Sequence, residues 1–368
     1  MSGLFENSEI NGMILPNRFV RSATWEGMAT DDGAVTPKLI ETMVGLARGG
    51  VGLINSSHAY IRQEGQAGPW QLGIYKDALI NGLRELTAAV HDSGGKIVMQ
   101  LAHAGHFASE RLIGQVPTVV SDYEGLAKTP RHELTIDDIG EIVIDFADAA
   151  LRAKSSGFDG IQIHSAHGYL LSQFLSPIFN QRHDEYGGDI RNRARVHLEI
   201  YRAVRKAVGK DYPVLIKMNC RDFAENGLTP EDSLQAGKLL ADAGLDAIEL
   251  SGGLLTGGKL SPIRTGINSA EKEAFFRKDA RAFKKEIHVP LILVGGIRSL
   301  EVVEQLFEDG VADYFSMSRP FIREPDLIKR WQSGDRRRSE CNSDNRCLRS
   351  GFKGDGIYCV TLERKKMK

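Results

Sequence analysis

A junction that recurs five times along the chain constrains its fold more than any other feature of the sequence. At each occurrence a helical stretch ends at glycine, and an apolar segment begins within a few residues. The glycines are Gly49 and Gly50, Gly94 and Gly95, Gly157, Gly244, and Gly310. Glycine suits the left-handed residue that closes a helix, and a buried strand directly after it is typical of alternating helices and strands.

Three further apolar segments, Phe19–Val20, Pro213–Met218 and Leu291–Val294, bring the candidate strands to eight. Eight strands separated by helical patterns indicate a closed parallel barrel. An open doubly wound sheet would need a G-x-G-x-x-G turn after its first strand, and the sequence has none. We therefore predict an α/β fold, a single-domain (β/α)8 TIM barrel over residues 1–333, followed by a polar tail over residues 334–368.

One connection is longer than the others. It runs from Phe107 to Arg131 with scattered proline, glycine and serine, and Thr135–Asp138 then has the composition of a helix start. A loop of this length either covers a site as a lid or lies on the surface, and both alternatives stay open.

The charge balance narrows the class of ligand. With 47 basic and 48 acidic residues the net charge is -1, which favours neither nucleic acid nor an anionic membrane as a partner. No signal peptide and no apolar run of membrane-spanning length is visible. We expect a cytoplasmic enzyme that acts on a small molecule, and we leave homo-oligomer formation open.

Two histidines and a tyrosine follow the apolar Ile161–Ile163 segment. His164, His167 and Tyr169 fall in the loop after that strand, at the end of the barrel where enzymes of this fold carry out their chemistry. Two imidazoles can donate hydrogen bonds to one developing anion, and a phenol with an ordinary pKa of about 10 can give a proton. The trio suits reduction of a polarised double bond. The alternative is that these side chains cap the loop and pack.

The ends of the last two strands have the composition of a phosphate site. Val294 is followed by Gly295 and Gly296, and the next strand ends at Ser318-Arg319. Glycines let backbone amides approach a phosphate, and arginine adds a bidentate clamp. A purely structural turn is the alternative.

Three other strand ends carry polar or small residues that could meet a flat heterocycle. Lys217 lies in an apolar strand, where it needs either an anionic ligand or an ion pair with Glu249. Gln100 offers a donor and an acceptor, although a core amide would look the same. At the first strand the small residues are followed by an aromatic ring in the sequence Ser22-Ala23-Thr24-Trp25.

Longer motifs complete the pattern. They are Asn17-Arg18-Phe19-Val20, Gln100-Leu101-Ala102-His103-Ala104-Gly105, H-S-A-H-G-Y-L-L-S-Q-F-L-S-P from His164 to Pro177, and D-E-Y-G-G-D-I-R-N-R-A-R from Asp184 to Arg195. With these motifs, the chain from about Leu4 to Pro325 closely resembles the old yellow enzyme family of flavin-dependent NAD(P)H oxidoreductases.

The resemblance implies a barrel that binds FMN, accepts electrons from NADH or NADPH, and reduces the activated C=C bond of α,β-unsaturated carbonyl or nitro compounds. It implies that His164 and His167 bind the substrate oxygen and that Tyr169 protonates the α carbon. The residues implied to hold FMN are Ser22, Ala23 and Thr24 along the ring, Gln100 and Lys217 at the pyrimidine edge, and Gly295, Gly296, Ser318 and Arg319 at the phosphate.

The chain departs from the family pattern at two of these positions. Lys217 stands where many relatives have arginine, so a compact ammonium charge replaces a planar guanidinium group. Trp25 stands where one branch of the family carries a cysteine that tunes the flavin. We expect its indole to bind substrate and to narrow the cavity.

The tail contains three cysteines, Cys341, Cys347 and Cys359. They resemble the last three cysteines of the iron-sulfur motif in dienoyl-CoA-reductase-like relatives, at altered spacing, and Arg338 stands where the first would lie. Because such clusters normally use four thiolates, we expect a decayed site.

Two alternative functions from other classes of protein remain. His103, His164 and His167 could offer three nitrogens to zinc in a barrel hydrolase. A non-catalytic flavoprotein would also explain the cofactor residues, although it would have no need of a proton donor.

Overall fold

The structure is a computed structural model that describes residues 3–123, 125–127 and 129–366. Eight parallel strands close into a barrel in which each strand pairs with the next and the last pairs with the first. In chain order they are β1 Phe19–Arg21, β2 Leu53–Tyr60, β3 Ile97–Ala102, β4 Gly160–Ser165, β5 Val214–Asn219, β6 Ala247–Ser251, β7 Leu291–Val294 and β8 Tyr314–Met317. The predicted (β/α)8 TIM barrel is confirmed.

Helices connect the strands on the outside of the barrel. They are α1 Pro37–Arg48, α2 Ile80–Asp92, α3 Ile136–Ser155, α4 Arg195–Val208, α5 Pro230–Asp242, α6 Arg277–Glu286 and α7 Leu300–Glu308, with α8 Leu327–Gln332 after β8. Shorter helices are Glu110–Ile113, Leu170–Leu175, Ile190–Arg193, Arg319–Arg323, Arg346–Gly351 and Val360–Lys366. None of the helices in the described ranges has both the length and the apolar character that crossing a bilayer requires.

Local sequence signals explain where these elements begin and end. Thr135 and Asp138 form a reciprocal capping box at the start of α3, as their composition predicts. At each of the five predicted junctions a glycine adopts a positive φ, between 63° and 100°. These glycines are Gly50, Gly94, Gly157, Gly244 and Gly310. The helix-to-strand junctions are therefore confirmed in position and in backbone conformation.

Three aspartates tie neighbouring strands together at the amino-terminal end of the barrel. Each carboxylate accepts the first backbone N–H of the preceding strand, at 2.7 to 2.9 Å. The pairs are Asp159 with Ile97, Asp246 with Val214, and Asp313 with Leu291. A nearby lysine or arginine neutralises each carboxylate.

The barrel interior has an apolar layer below a polar one. An antiparallel hairpin of Ser8–Ile10 and Met13–Leu15 closes the amino-terminal end. It packs on an apolar layer of Val20, Leu53, Val98, Leu215, Ala247, Ile292 and Tyr314. Two residues further along most of these strands the side chains become polar, at Ser22, Asn55, Gln100, Lys217, Glu249 and Ser316. This polar layer lies at the carboxyl ends of the strands.

The long connection after β3 packs behind Tyr169. Its short strands Thr118–Val119 and His132–Glu133 pair with each other, and the Phe107 ring meets the Tyr169 ring edge-on at 6.3 Å between centroids. In its described part it supports the wall of the barrel end.

The tail folds back onto the barrel top. The Ser339 N–H donates to the Arg298 carbonyl at 2.8 Å, and the Ile357 N–H donates to the Glu26 carbonyl at 2.7 Å. The division of the chain at residue 334 stays a prediction.

Candidate active site

A cavity of about 400 Å³ opens at the carboxyl ends of the barrel strands. It is lined by every residue that the sequence analysis placed in the site, namely Ser22, Ala23, Thr24, Trp25, Gln100, His164, His167, Tyr169, Lys217, Gly295, Gly296, Ser318 and Arg319. The fold therefore brings these residues together, and their roles toward a ligand stay predictions.

A charged network forms the floor of this cavity. Lys217 Nζ lies 3.3 Å from Glu249 Oε1 and 2.6 Å from Ser22 Oγ. Burial alone would raise the pKa of Glu249, but the charge of Lys217 and hydrogen bonds from Ser22, Gln162 and Ser316 lower it. Glu249 is therefore ionised. Lys217 pairs with Glu249, as one interpretation of its sequence position predicts, and it also lines the cavity, where its contact with an anionic ligand stays a prediction.

The ionised Glu249 also determines how two buried amides are oriented. A carboxylate only accepts hydrogen bonds, so Gln162 presents its amide nitrogen to Glu249 Oε2, at 2.9 Å. The oxygen of Gln162 then accepts from Gln100 Nε2 at 2.7 Å. This chain leaves the carbonyl oxygen of Gln100 as an acceptor for a donor group of a ligand.

The predicted catalytic side chains share one wall of the cavity. The His164 ring lies 4.7 Å from the Tyr169 ring and 5.6 Å from the His167 ring, between centroids. His164 Nδ1 accepts from the Ala166 N–H at 3.3 Å, which leaves the hydrogen on Nε2. His167 has a φ of +65°, and its Nε2 is 2.8 Å from Ser251 Oγ.

Burial makes this wall electrically neutral. It lowers the pKa of His164 and of His167 well below the ordinary value, and the nearby Lys217 lowers both further. Burial also raises the pKa of Tyr169 to about 12. At neutral pH the wall therefore offers two uncharged imidazoles and one protonated phenol, which can bind an oxygen and supply a proton.

The far end of the cavity is suited to a phosphate. Gly295 and Gly296 have φ values of +130° and +78°, and a Cβ at either would approach the Phe275 ring to about 3 Å. Only glycine fits this turn, and both glycines line the cavity. Thr24 Oγ1 and Ser318 Oγ, 2.6 Å apart, join the ends of β1 and β8 beside it.

Two arginines give this end of the cavity a positive charge. Burial lowers the pKa of Arg319, and it lowers that of Arg298 to about 10, where the charges of Arg319 and Arg338 add to the effect. Within the described residues the buried Arg298 Nε has no hydrogen-bond partner. Buried guanidinium groups require an anion or hydrogen bonds, so these residues fit the phosphate of FMN. Arg298 was not found by the sequence analysis.

His58 is a third histidine of the cavity that the sequence analysis missed. It follows the polar run Asn55-Ser56-Ser57 near the end of β2. A register shift in the pairing of β2 with β3, between Asn55 and His58, adds one residue to β2 and turns His58 inward. The polar run at a strand end was the only signal in the sequence.

The mouth of the cavity is built partly from the tail. Leu348 and Phe352 line it together with Trp25. The Trp25 and Phe352 rings lie 4.6 Å apart between centroids, and Trp25 Nε1 donates to the Pro69 carbonyl at 3.0 Å. No pattern in the sequence marks these tail residues, because only the folded chain brings them over the barrel.

The ligand set of the zinc alternative is not formed. His103 is buried away from the cavity, where its Nδ1 accepts from the Gly105 N–H at 3.1 Å. Across the described ranges, no three histidine, cysteine or acidic side chains are placed to hold a metal ion.

The three tail cysteines are free thiols around a small second cavity, which Arg319 and Arg323 also line. Burial raises the pKa of Cys347 to about 11. Arg338 does not join them, because it pairs with Glu273 at 3.0 Å.

Comparison with known proteins places this barrel and cavity in a family. The NADH oxidase of Thermoanaerobacter brockii is 37% identical over 336 residues, which cover 90% of this chain and 51% of that protein. The chain thus spans about half the length of this relative. The NADPH dehydrogenase of Clostridium acetobutylicum is 32% identical over 326 residues, which cover 88% of this chain and 93% of that protein.

A solved structure of an old yellow enzyme homologue from Zymomonas mobilis superposes with a TM-score of 0.77 at 28% identity, covering 93% of this chain and 96% of that one. The family profile of NADH:flavin oxidoreductases and NADH oxidases matches residues 3–338. The family's cofactor is FMN, and its electron donor is NADH or NADPH. The chain therefore belongs to the NADH:flavin oxidoreductase / NADH oxidase family of old yellow enzyme-like proteins.

Proposed function

We propose that the protein uses NADH or NADPH to reduce the activated C=C bond of α,β-unsaturated carbonyl or nitro compounds. The observation that carries this proposal is the convergence of His164, His167 and Tyr169, all uncharged, on one wall of the cavity. A protein that only stored or sensed a flavin would have no use for a proton donor beside two oxyanion donors.

The residues around the cavity would hold FMN along its length. Gln100 and Lys217 would meet the pyrimidine edge, where the free carbonyl of Gln100 accepts a hydrogen bond and the ammonium balances negative charge. Arg298 and Arg319 would bind the phosphate. When bound, FMN supplies the hydride that is delivered to the β carbon of the substrate.

His164 and His167 bind and polarise the substrate in this mechanism. Each donates a hydrogen bond to the carbonyl or nitro oxygen, on which negative charge grows as the β carbon accepts the hydride. Ser251 supports this role by fixing the ring of His167. Because both imidazoles are neutral, they stabilise the oxygen without protonating it.

Tyr169 completes the reduction by giving its phenolic proton to the α carbon. The burial that raises its pKa to about 12 keeps the phenol protonated until negative charge appears next to it. Solvent protons then restore the phenol through the cavity mouth.

The test is an anaerobic titration of the purified holoenzyme followed by visible absorption. We expect flavin bands that bleach when NADPH or NADH is added and return when 2-cyclohexenone follows. Bleaching without return on 2-cyclohexenone or a nitroalkene would refute alkene reduction and leave an oxidoreductase with another acceptor. A protein that takes up no FMN would overturn the proposal.

A further inference from the structure

His58 has a fixed tautomer, which the loop after β2 imposes. Gln71 Oε1 accepts from the backbone N–H of Ala67 at 2.7 Å and of Gly68 at 3.4 Å, so its amide nitrogen faces the other way. That nitrogen lies 2.7 Å from His58 Nδ1 and 3.0 Å from the His58 carbonyl. Since the Gln71 nitrogen can only donate, Nδ1 of His58 is the acceptor, and the ring carries its hydrogen on Nε2.

The Nε2–H group of His58 is a hydrogen-bond donor that the proposed mechanism does not use. Among the residues that the structure describes, none forms a hydrogen bond with it, and His58 lines the cavity with an exposed fraction of 8%. Burial lowers the pKa of His58 to about 4, so the ring is neutral at physiological pH. His58 therefore presents one uncharged donor to the cavity.

The neighbours of His58 place its ring on the same cavity wall as the proposed proton donor. Its ring centroid lies 5.5 Å from that of Tyr169 and 6.1 Å from that of His164. His164 in turn neighbours His167, the other donor proposed for the substrate oxygen. The cavity wall thus carries three imidazoles beside the phenol, one more than a single carbonyl oxygen requires.

We propose that His58 Nε2–H binds a second oxygen of the substrate's activating group, so that the site selects alkenes whose activating group has two oxygens, as in a nitro group or an ester. The inference rests on the proposed function and deepens it. His164 and His167 hold one oxygen, and His58 holds the other on the side of Tyr169. A neutral donor suits these groups because they are themselves uncharged.

Equilibrium binding to the oxidised holoenzyme tests this assignment without turnover. The two probes are 1-nitrocyclohexene, with two oxygens, and 2-cyclohexenone, with one, titrated by the change in flavin absorbance. We expect His58→Leu to weaken binding of the nitroalkene by about 2- to 10-fold, the range for one neutral hydrogen bond. Binding of the enone should change by less than about 2-fold.

A matched variant separates the hydrogen bond from packing. In His58→Gln the side-chain amide nitrogen reaches about as far as Nε2, so nitroalkene affinity should return toward that of the unmodified protein. Equal weakening of both probes in His58→Leu, or no recovery in His58→Gln, would overturn the proposal.

Two more measurements keep this proposal distinct from the proposed function. A loss of bound FMN in His58→Leu would place His58 at the cofactor and overturn the substrate role. If the unmodified holoenzyme binds both probes but reduces neither, the proposed function fails. The ratio of the two dissociation constants in the variants still decides the role of His58.

Discussion

Tyr169 is the side chain on which the proposed proton transfer depends most directly. In Tyr169→Phe the ring is kept and the proton donor is lost, so we expect alkene reduction to slow by about 10²- to 10⁴-fold, the usual contribution of a general acid. Reduction of the flavin by NADPH should change little, because that step needs no proton from Tyr169. Rapid-mixing kinetics measure the two half-reactions separately. Equal slowing of both would contradict the assigned role.

His164 and His167 can be tested through a ligand that mimics the charged substrate oxygen. A phenolate bound over the flavin is followed by its charge-transfer absorption band. Each hydrogen bond to a charged oxygen contributes about 1.5–3 kcal/mol, so the double replacement His164→Ala with His167→Ala should weaken phenol binding by on the order of 100-fold or more. His106→Ala is the control, since His106 lies outside the cavity wall. Undiminished phenol affinity in the double variant would count against both residues.

At the scale of elements, the mouth of the cavity depends on contact between the β1 loop and the tail. Gly351 accommodates this contact, because a Cβ there would lie 2.8 Å from the Trp25 ring. Arg319 Nη1 donates to Asn345 Oδ1 at 2.5 Å and so anchors the same tail segment to the end of β8. The tail therefore shapes the entrance to the cavity through its contacts with Trp25 and Arg319.

Trp25→Ala should widen this entrance. Loss of the indole removes a rigid wall, so we expect the kcat/KM of a bulky substituted cyclohexenone to rise relative to that of 2-cyclohexenone, by about 10-fold or more. Phe352→Ala is the matched comparison, because it removes the outer, exposed ring of the same pair. Steady-state kinetics with both substrates measure the ratio. An unchanged ratio of the two kcat/KM values in Trp25→Ala would contradict this role for the indole.

For the whole molecule, several buried histidines make stability depend on pH. Burial lowers the pKa of His58 and of His103 to about 4 and that of His197 to about 3. In the unfolded chain a histidine has a pKa of about 6.5, so each residue takes up a proton on unfolding once the pH lies between these values. Their contribution to stability is complete above pH 6.5 and is lost as the pH falls through that window.

We therefore expect the free energy of unfolding to fall between about pH 6.5 and about pH 4, by as much as about 3 kcal/mol for each such histidine. Urea unfolding at a series of pH values measures this fall. His197→Gln should reduce the slope of the free energy of unfolding against pH by the equivalent of about one proton. His197 is chosen because it lies outside the cavity. A pH dependence identical to that of the unmodified protein would contradict the burial argument.

Local patterns in the sequence were sufficient for the barrel and for most of its site. Each glycine junction depends only on its own φ angle and on the apolar segment after it, so the order of elements follows from short stretches of chain. In a parallel barrel all carboxyl ends of strands meet on one face. The polar residues near strand ends and in the loops that follow them, such as Gln100, Lys217 and Tyr169, were therefore expected to share one cavity, and they do.

Only the tertiary structure decided the rest, because those features depend on pairing and packing between distant segments. The register shift in β2 exists only against β3, and it alone turns His58 into the cavity. His103, one residue past the end of β3, faces away from the cavity although its sequence context resembles that of a site residue. Leu348 and Phe352 reach the mouth because the tail returns over the barrel, a contact between residues far apart in the chain.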